Sequence, residues 1–129
     1  MTLKAYFEQN RGFGVLSTAD SQGRVDAAVY SRPHMMDDGT MAFIMNDRLS
    51  HAYLQSNPHA AFLFRENGSG YKGKRFFLTK VREEQDSDLL KQLKRRTYPD
   101  DKPYQGPKFL VFFNIDKELP LLGPGDDED

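Results

Sequence analysis

Between Phe13 and Ile115 the sequence offers six stretches that favour extended backbone, and the connections between them leave no room for a repeated strand–helix–strand crossover. They are Phe13–Thr18, Val25–Arg32, Thr40–Asn46, Ala60–Arg65, Tyr71–Arg82 and Phe109–Ile115. In the second, Val25, Ala27, Val29 and Ser31 fall on one face and Arg24, Asp26, Ala28, Tyr30 and Arg32 on the other, as in a strand with a core on one side only. Phe76 and Leu78 similarly alternate with Phe77, Thr79 and Val81. Turn chemistry separates the strands: Asp20-Ser21-Gln22-Gly23, then Asp37-Asp38-Gly39, then Asn67-Gly68-Ser69-Gly70. Pro33 lacks an N–H, which puts the end of the second strand at an edge or a bulge. The expected fold is mainly β with short helices: a six-stranded, mostly antiparallel barrel.

Three short helices fit between the strands. Thr2 caps the first, with Leu3, Tyr6 and Phe7 at helical spacing and Gly12 as its stop. Asp47 is the expected cap of the second, with Leu49, Ala52, Tyr53 and Ser56 on one face and Asn57-Pro58 as its stop. Asp86 or Ser87 caps the third, which carries Leu89, Leu90, Leu93 and Thr97 on one face and ends at Pro99.

Composition narrows the functional classes. The 129 residues are enough for one domain, and 38% hydrophobic residues, including ten Phe and six Tyr, are enough for a packed interior. The absence of cysteine excludes disulfides, thiolate metal sites and cysteine nucleophiles, so redox chemistry needs a borrowed cofactor. No apolar run approaches the length of a membrane helix and no secretory pattern opens the chain, so a cytoplasmic protein with no membrane partner is expected. The net charge of −1 includes Asp126, Asp127, Glu128 and Asp129, which leaves +3 on the rest. Residues 1–122 therefore read as the domain and 123–129 as a solvated acidic tail. The strands also supply more apolar positions than one small barrel can enclose, which implies a homodimer.

His34, His51 and His59 are too scattered for a metal site and read as surface residues. No phosphate-cradling glycine loop opens a helix, since GYKGK at Gly70–Lys74 leads into a strand. One stretch suggests a different partner. Arg65, Lys72, Lys74, Arg75, Lys80 and Arg82 are interleaved with Tyr71, Phe76 and Phe77, a pattern that in a small barrel can bind single-stranded nucleic acid. The overall pI near 6.3 and the use of the phenylalanines as core argue against that partner.

The run GRVDAAVYSRPHMMDDGTMAFIMND from Gly23, continued by RLSHAYLQSNPHAAFLF to Phe64, resembles the pyridoxamine 5′-phosphate oxidase-like family of FMN-binding split barrels. The likeness lies in the order of a hairpin, a strand ending at Arg32-Pro33, a strand ending at Asn46 and a helix closed by Asn57-Pro58. It implies a homodimer with FMN in a groove at the subunit interface and an FMN-dependent oxidoreductase acting on a small molecule. FAD, a deazaflavin and haem are alternative cofactors, and a flavin-binding or sensing module without turnover is the alternative function. By the same resemblance Tyr30, Ser31 and Arg32 line the ring system and its ribityl chain. Met45 and Asn46 approach the phosphate, and Lys74 reaches the ring from the partner subunit. Where relatives carry a basic residue on the helix after the third strand, this chain has Leu49 and Ser50, with Arg48 just before them. Arg48, Ser50 and Asn46, next to the helix N–H groups, are then the candidates for phosphate contact. The end of the chain, LPLLGPGDDED, lacks the Arg and His that pyridoxamine phosphate oxidases use for their substrate, which implies a relative of that enzyme and not the enzyme itself.

Overall fold

Asp20 builds the first hairpin: its Oδ1 accepts from the backbone N–H groups of Gln22 and Arg24, its Oδ2 accepts from Arg24 Nε, and Gly23 takes φ +83° to complete the turn. The strands on either side are β1 (Gly12–Ala19) and β2 (Val25–Tyr30), paired antiparallel with Gly14 opposite Tyr30. The computed structural model describes residues 1–94 and 104–123. Within them follow β3 (His34–Met35), β4 (Met41–Asn46), β5 (His59–Glu66), β6 (Gly73–Gln85) and β7 (Lys108–Pro120), with helices α1 (Leu3–Gln9), α2 (Leu49–Ser56) and α3 (Asp88–Leu93).

All pairings are antiparallel, in one seven-stranded sheet of order β2-β1-β5-β6-β7-β4-β3 that curls into a half-barrel. The strand count is seven where the sequence suggested six. After Pro33, whose missing N–H interrupts the β2 run, His34 and Met35 pair briefly with Ala42 and Met41. The central strands are also longer than their apolar patterns. β6 and β7 pair from Lys74–Pro120 to Gln85–Phe109, with irregularities at Phe77/Leu78 and Lys80/Arg82 that let the long ribbon coil.

The inner face of the curl is rich in aromatics. Phe7, Phe43, Phe62, Phe64, Phe76 and Phe113 pack with Leu16, Met41, Met45, Leu78 and Val111. Several of the rings meet edge to face, including Phe43–Phe62 at 4.8 Å and Phe7–Phe64 at 5.2 Å between centroids. Gly14 is required there, because a Cβ would stand 2.6 Å from the Phe62 ring. The sheet's outer side has a second, smaller cluster in which Leu90 of α3 packs on Ala42, Leu110 and Phe112, flanked by Ile44, Leu89 and Leu93. This explains the nearly continuous apolar character of β4 and β7: both their faces are covered.

Two helix assignments change. Arg48, not Asp47, is the N-cap of α2, and its side chain makes no capping bond. The buried face of α2 is Ser50, His51 and Leu54, so the face read from Leu49, Ala52, Tyr53 and Ser56 is turned outward. Two of the three inward positions, Ser50 and His51, are polar and pair with groups on the sheet, which a hydrophobic pattern does not register. Ser87 caps α3 by accepting from Leu90 N–H; the expected continuation to Thr97 and Pro99 lies outside the described residues, as does the acidic end from 124 to 129. Gly123, which opens the expected tail, accepts a hydrogen bond from Arg75.

The Phe62→Ala protein should lose about 3–5 kcal/mol of unfolding free energy, measured by chemical denaturation; a loss below 1 kcal/mol would show that the ring cluster is not the core.

Candidate functional site

The sheet does not close. β3 pairs with only Met41 and Ala42, so the rest of β4 has no strand on that side among the described residues, and β2 comes round to face it. Tyr30 of β2 meets Phe43 of β4 edge to face at 5.9 Å. Between the two strands runs an open groove of about 1330 Å³. Ala28, Val29, Tyr30 and Ile44 make an apolar middle, and basic residues predominate at each end: Arg48, Lys94 and Lys108, with the single carboxylate Asp26, lie toward α2 and α3, and Arg11 and Arg32 toward the start of β1.

Of the residues singled out in the sequence, Tyr30, Ser31, Arg32, Asn46, Arg48 and Ser50 line this groove. Met45 and Lys74 do not. Met45 alternates inward and is 1% exposed in the core. Lys74 Nζ lies 2.7 Å from Glu118 and 5.1 Å from the centre of the Tyr6 ring, at the end of the barrel. Arg32 is held by donating from Nη1 to the Phe7 carbonyl in the last turn of α1, 2.5 Å away.

The α2 end of the groove is a polar network. Ser50 Oγ donates to Asp26 Oδ2 at 3.2 Å and is also hydrogen-bonded to the Tyr30 phenol. Burial pushes the Tyr30 phenol up, so it stays protonated at neutral pH. Behind Ser50, His51 is buried, contrary to the surface position its sequence context suggested. Its ring stacks on Phe109 with centroids 3.7 Å apart. Nε2 meets the two Glu83 oxygens at 3.1 and 3.0 Å, and Nδ1 lies 3.3 Å from Asp47 Oδ1. Burial would raise the Glu83 carboxyl, but hydrogen bonds from Lys80, His51 and Gln55 outweigh it and lower the carboxyl to about 2. This cluster fastens the first turn of α2 to β6 and β7.

Sequence reasoning missed Arg11, Lys94 and Lys108. Lys108 reaches the groove because β7 sets it opposite Asn46, and Lys94 because α3 packs on the outer face of β4 and β7. Both placements are long-range. The alternation in Val25–Arg32 separated two faces without saying which meets the groove; Asp26, Ala28, Tyr30 and Arg32 of one face line it, joined by Val29 and Ser31 of the other.

The basic stretch that suggested nucleic acid is largely committed within the chain. Arg65 donates to the Gly68 and Gly70 carbonyls and Arg75 to the Pro120 and Gly123 carbonyls. Lys74, Lys80 and Arg82 pair with Glu118, Glu83 and Glu84, and Phe76 is in the core. Among the described residues no group of His, Asp or Glu is arranged to hold a metal ion, and no helix is long and apolar enough to cross a membrane.

Fold and site together define a small antiparallel split barrel with a basic-ended groove at its open seam. No protein-family model and no curated protein matches the sequence. Solved structures do. An FMN-binding protein from Syntrophomonas wolfei is 26% identical, with a TM-score of 0.69 over 94% of this chain and 84% of that one. A provisionally assigned pyridoxamine 5′-phosphate oxidase from Lactobacillus delbrueckii is 16% identical, with a TM-score of 0.66 over 92% of each chain. HutZ, a haem storage protein from Vibrio cholerae, is 17% identical, with a TM-score of 0.63 over 90% of each chain. The resemblance read from the sequence therefore holds: this chain is similar, over nearly its whole length, to the pyridoxamine 5′-phosphate oxidase-like FMN-binding split-barrel family.

The Glu83→Gln protein should be less stable than the parent by roughly 1.5–3 kcal/mol at neutral pH. A carboxyl whose pKa is lowered on folding contributes fully above its unfolded value and loses that contribution as pH falls toward about 2. The two proteins should therefore converge on acidification when unfolding is followed from pH 7 down to pH 2; a constant difference would contradict the assignment.

Proposed function

We propose that the groove between β2 and β4 binds FMN and that the protein is an FMN-dependent oxidoreductase acting on a small molecule. The observation that carries this reading is the groove's layout. A cationic end beside the start of α2 suits a phosphate, and an apolar middle lined by Tyr30, Ala28 and Ile44 suits a flat ring system. The uncovered edge of β4 offers backbone hydrogen-bonding groups to the polar rim of such a ring. A bound flavin would supply hydride transfer, which the chain's own side chains do not. Tyr30, Ser31 and Ile44 would bind and orient the ring, and Asn46, Arg48 and Ser50 would hold its phosphorylated chain.

The solved structure of a haem storage protein makes haem the natural comparison. The described lining of the groove contains no His, Met or Cys, and its one phenol, Tyr30, is partly buried and hydrogen-bonded to Ser50. The donor set favours a flavin phosphate over an axial ligand to iron.

A second copy of the chain belongs to the same proposal. Val29, Val15 and Leu63 stand in one cross-strand row on the outer face of β2, β1 and β5, and Ala27, Ala61 and Phe77 lie in or next to the adjoining row. Val25 is 78% exposed and Val29 67%. An apolar face across four strands is a protein-binding surface. Val29 also lines the groove, so a copy seated there closes the groove's open side. The groove exceeds the ~300–1,000 Å³ usual for a ligand pocket, which leaves space for side chains from that copy, the expected position of the partner's Lys74.

FMN added to the purified protein should bind with quenched flavin fluorescence at one flavin per chain, and the complex should oxidise a reduced nicotinamide or a small amine faster than free FMN. Binding without turnover would identify a flavin-binding module, and a Soret band on adding haemin in place of any flavin binding would contradict the reading. The parent should elute at about twice 14.8 kDa, and Val29→Asp should elute as a monomer with weakened FMN binding.

A further inference from the structure

Three cations from three separate elements converge on the α2 end of the groove. Arg48 precedes α2, Lys94 follows α3, and Lys108 opens β7. The Tyr104 ring organises two of them: the Arg48 guanidinium carbon lies 5.5 Å from its centroid and Lys108 Nζ 5.9 Å. The ring is itself fixed, its hydroxyl accepting from Asp47 N–H and donating to the Pro107 carbonyl, each at 2.8 Å.

Among the described residues, none of the three cations is in an ion pair. This contrasts with Lys74, Lys80 and Arg82, each of which has a carboxylate within 2.7 Å. Instead, Lys94 and Lys108 oppose each other. Burial first, and then the neighbouring Lys94 charge, hold the Lys108 ammonium below its usual range, with Asp86 only partly offsetting them. Beside them the first turn of α2 has no acidic residue of its own and no side-chain cap, and the nearest carboxylates, Asp26 and Asp47, are engaged with the Ser50 and His51 side chains. Holding like charges together is unfavourable, and a dianion among them removes that cost.

We propose that Lys94 and Lys108, together with Arg48, form the grip for a phosphate monoester dianion, so that α3 and β7 supply the charge that α2 lacks. This rests on the FMN reading for the identity of the nucleotide but assigns the anion contact to residues that no motif marked. The packing explains how they arrive. Leu90 seats α3 on Leu110 and Phe112, which carries Lys94 to the groove, and the β4–β7 register sets Lys108 across from Asn46.

The test is fluorescence titration of FMN and of riboflavin, which lacks the phosphate, against the parent, Lys94→Gln, Lys108→Gln, the double variant and a control, Lys72→Gln, on the exposed turn before β6. The parent should prefer FMN. Each single variant should weaken FMN binding by about tenfold or more, with riboflavin affinity unchanged, and the double variant should bind the two flavins nearly alike. Lys108→Arg should restore the preference, and the salt dependence of FMN binding should fall with each lysine removed. FMN binding by the double variant at parental strength would overturn the proposal while leaving the FMN reading intact, as would equal loss of FMN and riboflavin. A parent that binds neither flavin would instead defeat the FMN reading. In that case inorganic phosphate, titrated against the parent and the double variant by calorimetry, decides whether the lysines grip a dianion at all.

Discussion

The groove follows from unequal pairing at one edge of the sheet. β4 is six residues long, but β3 pairs only with the two residues nearest the Asp37-Asp38-Gly39 turn, and Pro33, which has no N–H, stands where the pairing would continue, so the strand is not covered along its length. A barrel normally removes its edges by closing. Here the curl brings β2 close enough for Tyr30 to touch Phe43 yet leaves the later part of β4 uncovered. The aromatic interior holds that arrangement, because Phe43 contacts Tyr30 on one side and Phe62 and Phe113 on the other.

On that frame, the chemistry of the seam is set by which elements end there. α2 begins at it, β7 starts beside it and α3 finishes over it, so Arg48, Lys108 and Lys94 meet although they are far apart in the chain. The buried contact of His51 with Glu83, Gln55 and Phe109 keeps α2 from shifting away from β6 and β7. Apolar packing thus positions α3, whereas a polar cluster positions α2. A ligand with one anionic end and a flat middle matches both parts of this surface.

Much of the fold was legible in the residues because local chemistry specifies it. The Asp20 and Asp38 turns, the alternation in β2 and the inward Phe76 and Leu78 all lie where turn residues and a period of two place them. Pro33 likewise marked a break, though it did not reveal the two-residue strand that follows. The inward face of α2 was misread because Ser50 and His51 are buried through polar partners, Asp26 and Glu83, that lie 24 and 32 residues away. Most of the candidate site residues do line the groove, but Lys94 and Lys108 depend on sheet order and helix packing, which no short motif records. Met45 illustrates the converse: it adjoins Asn46 in sequence, yet strand alternation turns it into the core.

The most direct test of the account is a crystal structure of the protein grown with FMN. The account predicts the isoalloxazine ring between β2 and β4 beside Tyr30, with the phosphate among Arg48, Lys94 and Lys108 and a second subunit on the Val25–Val29 face. A flavin bound elsewhere on the molecule, or a phosphate at the opposite end of the groove beside Arg11, would contradict it.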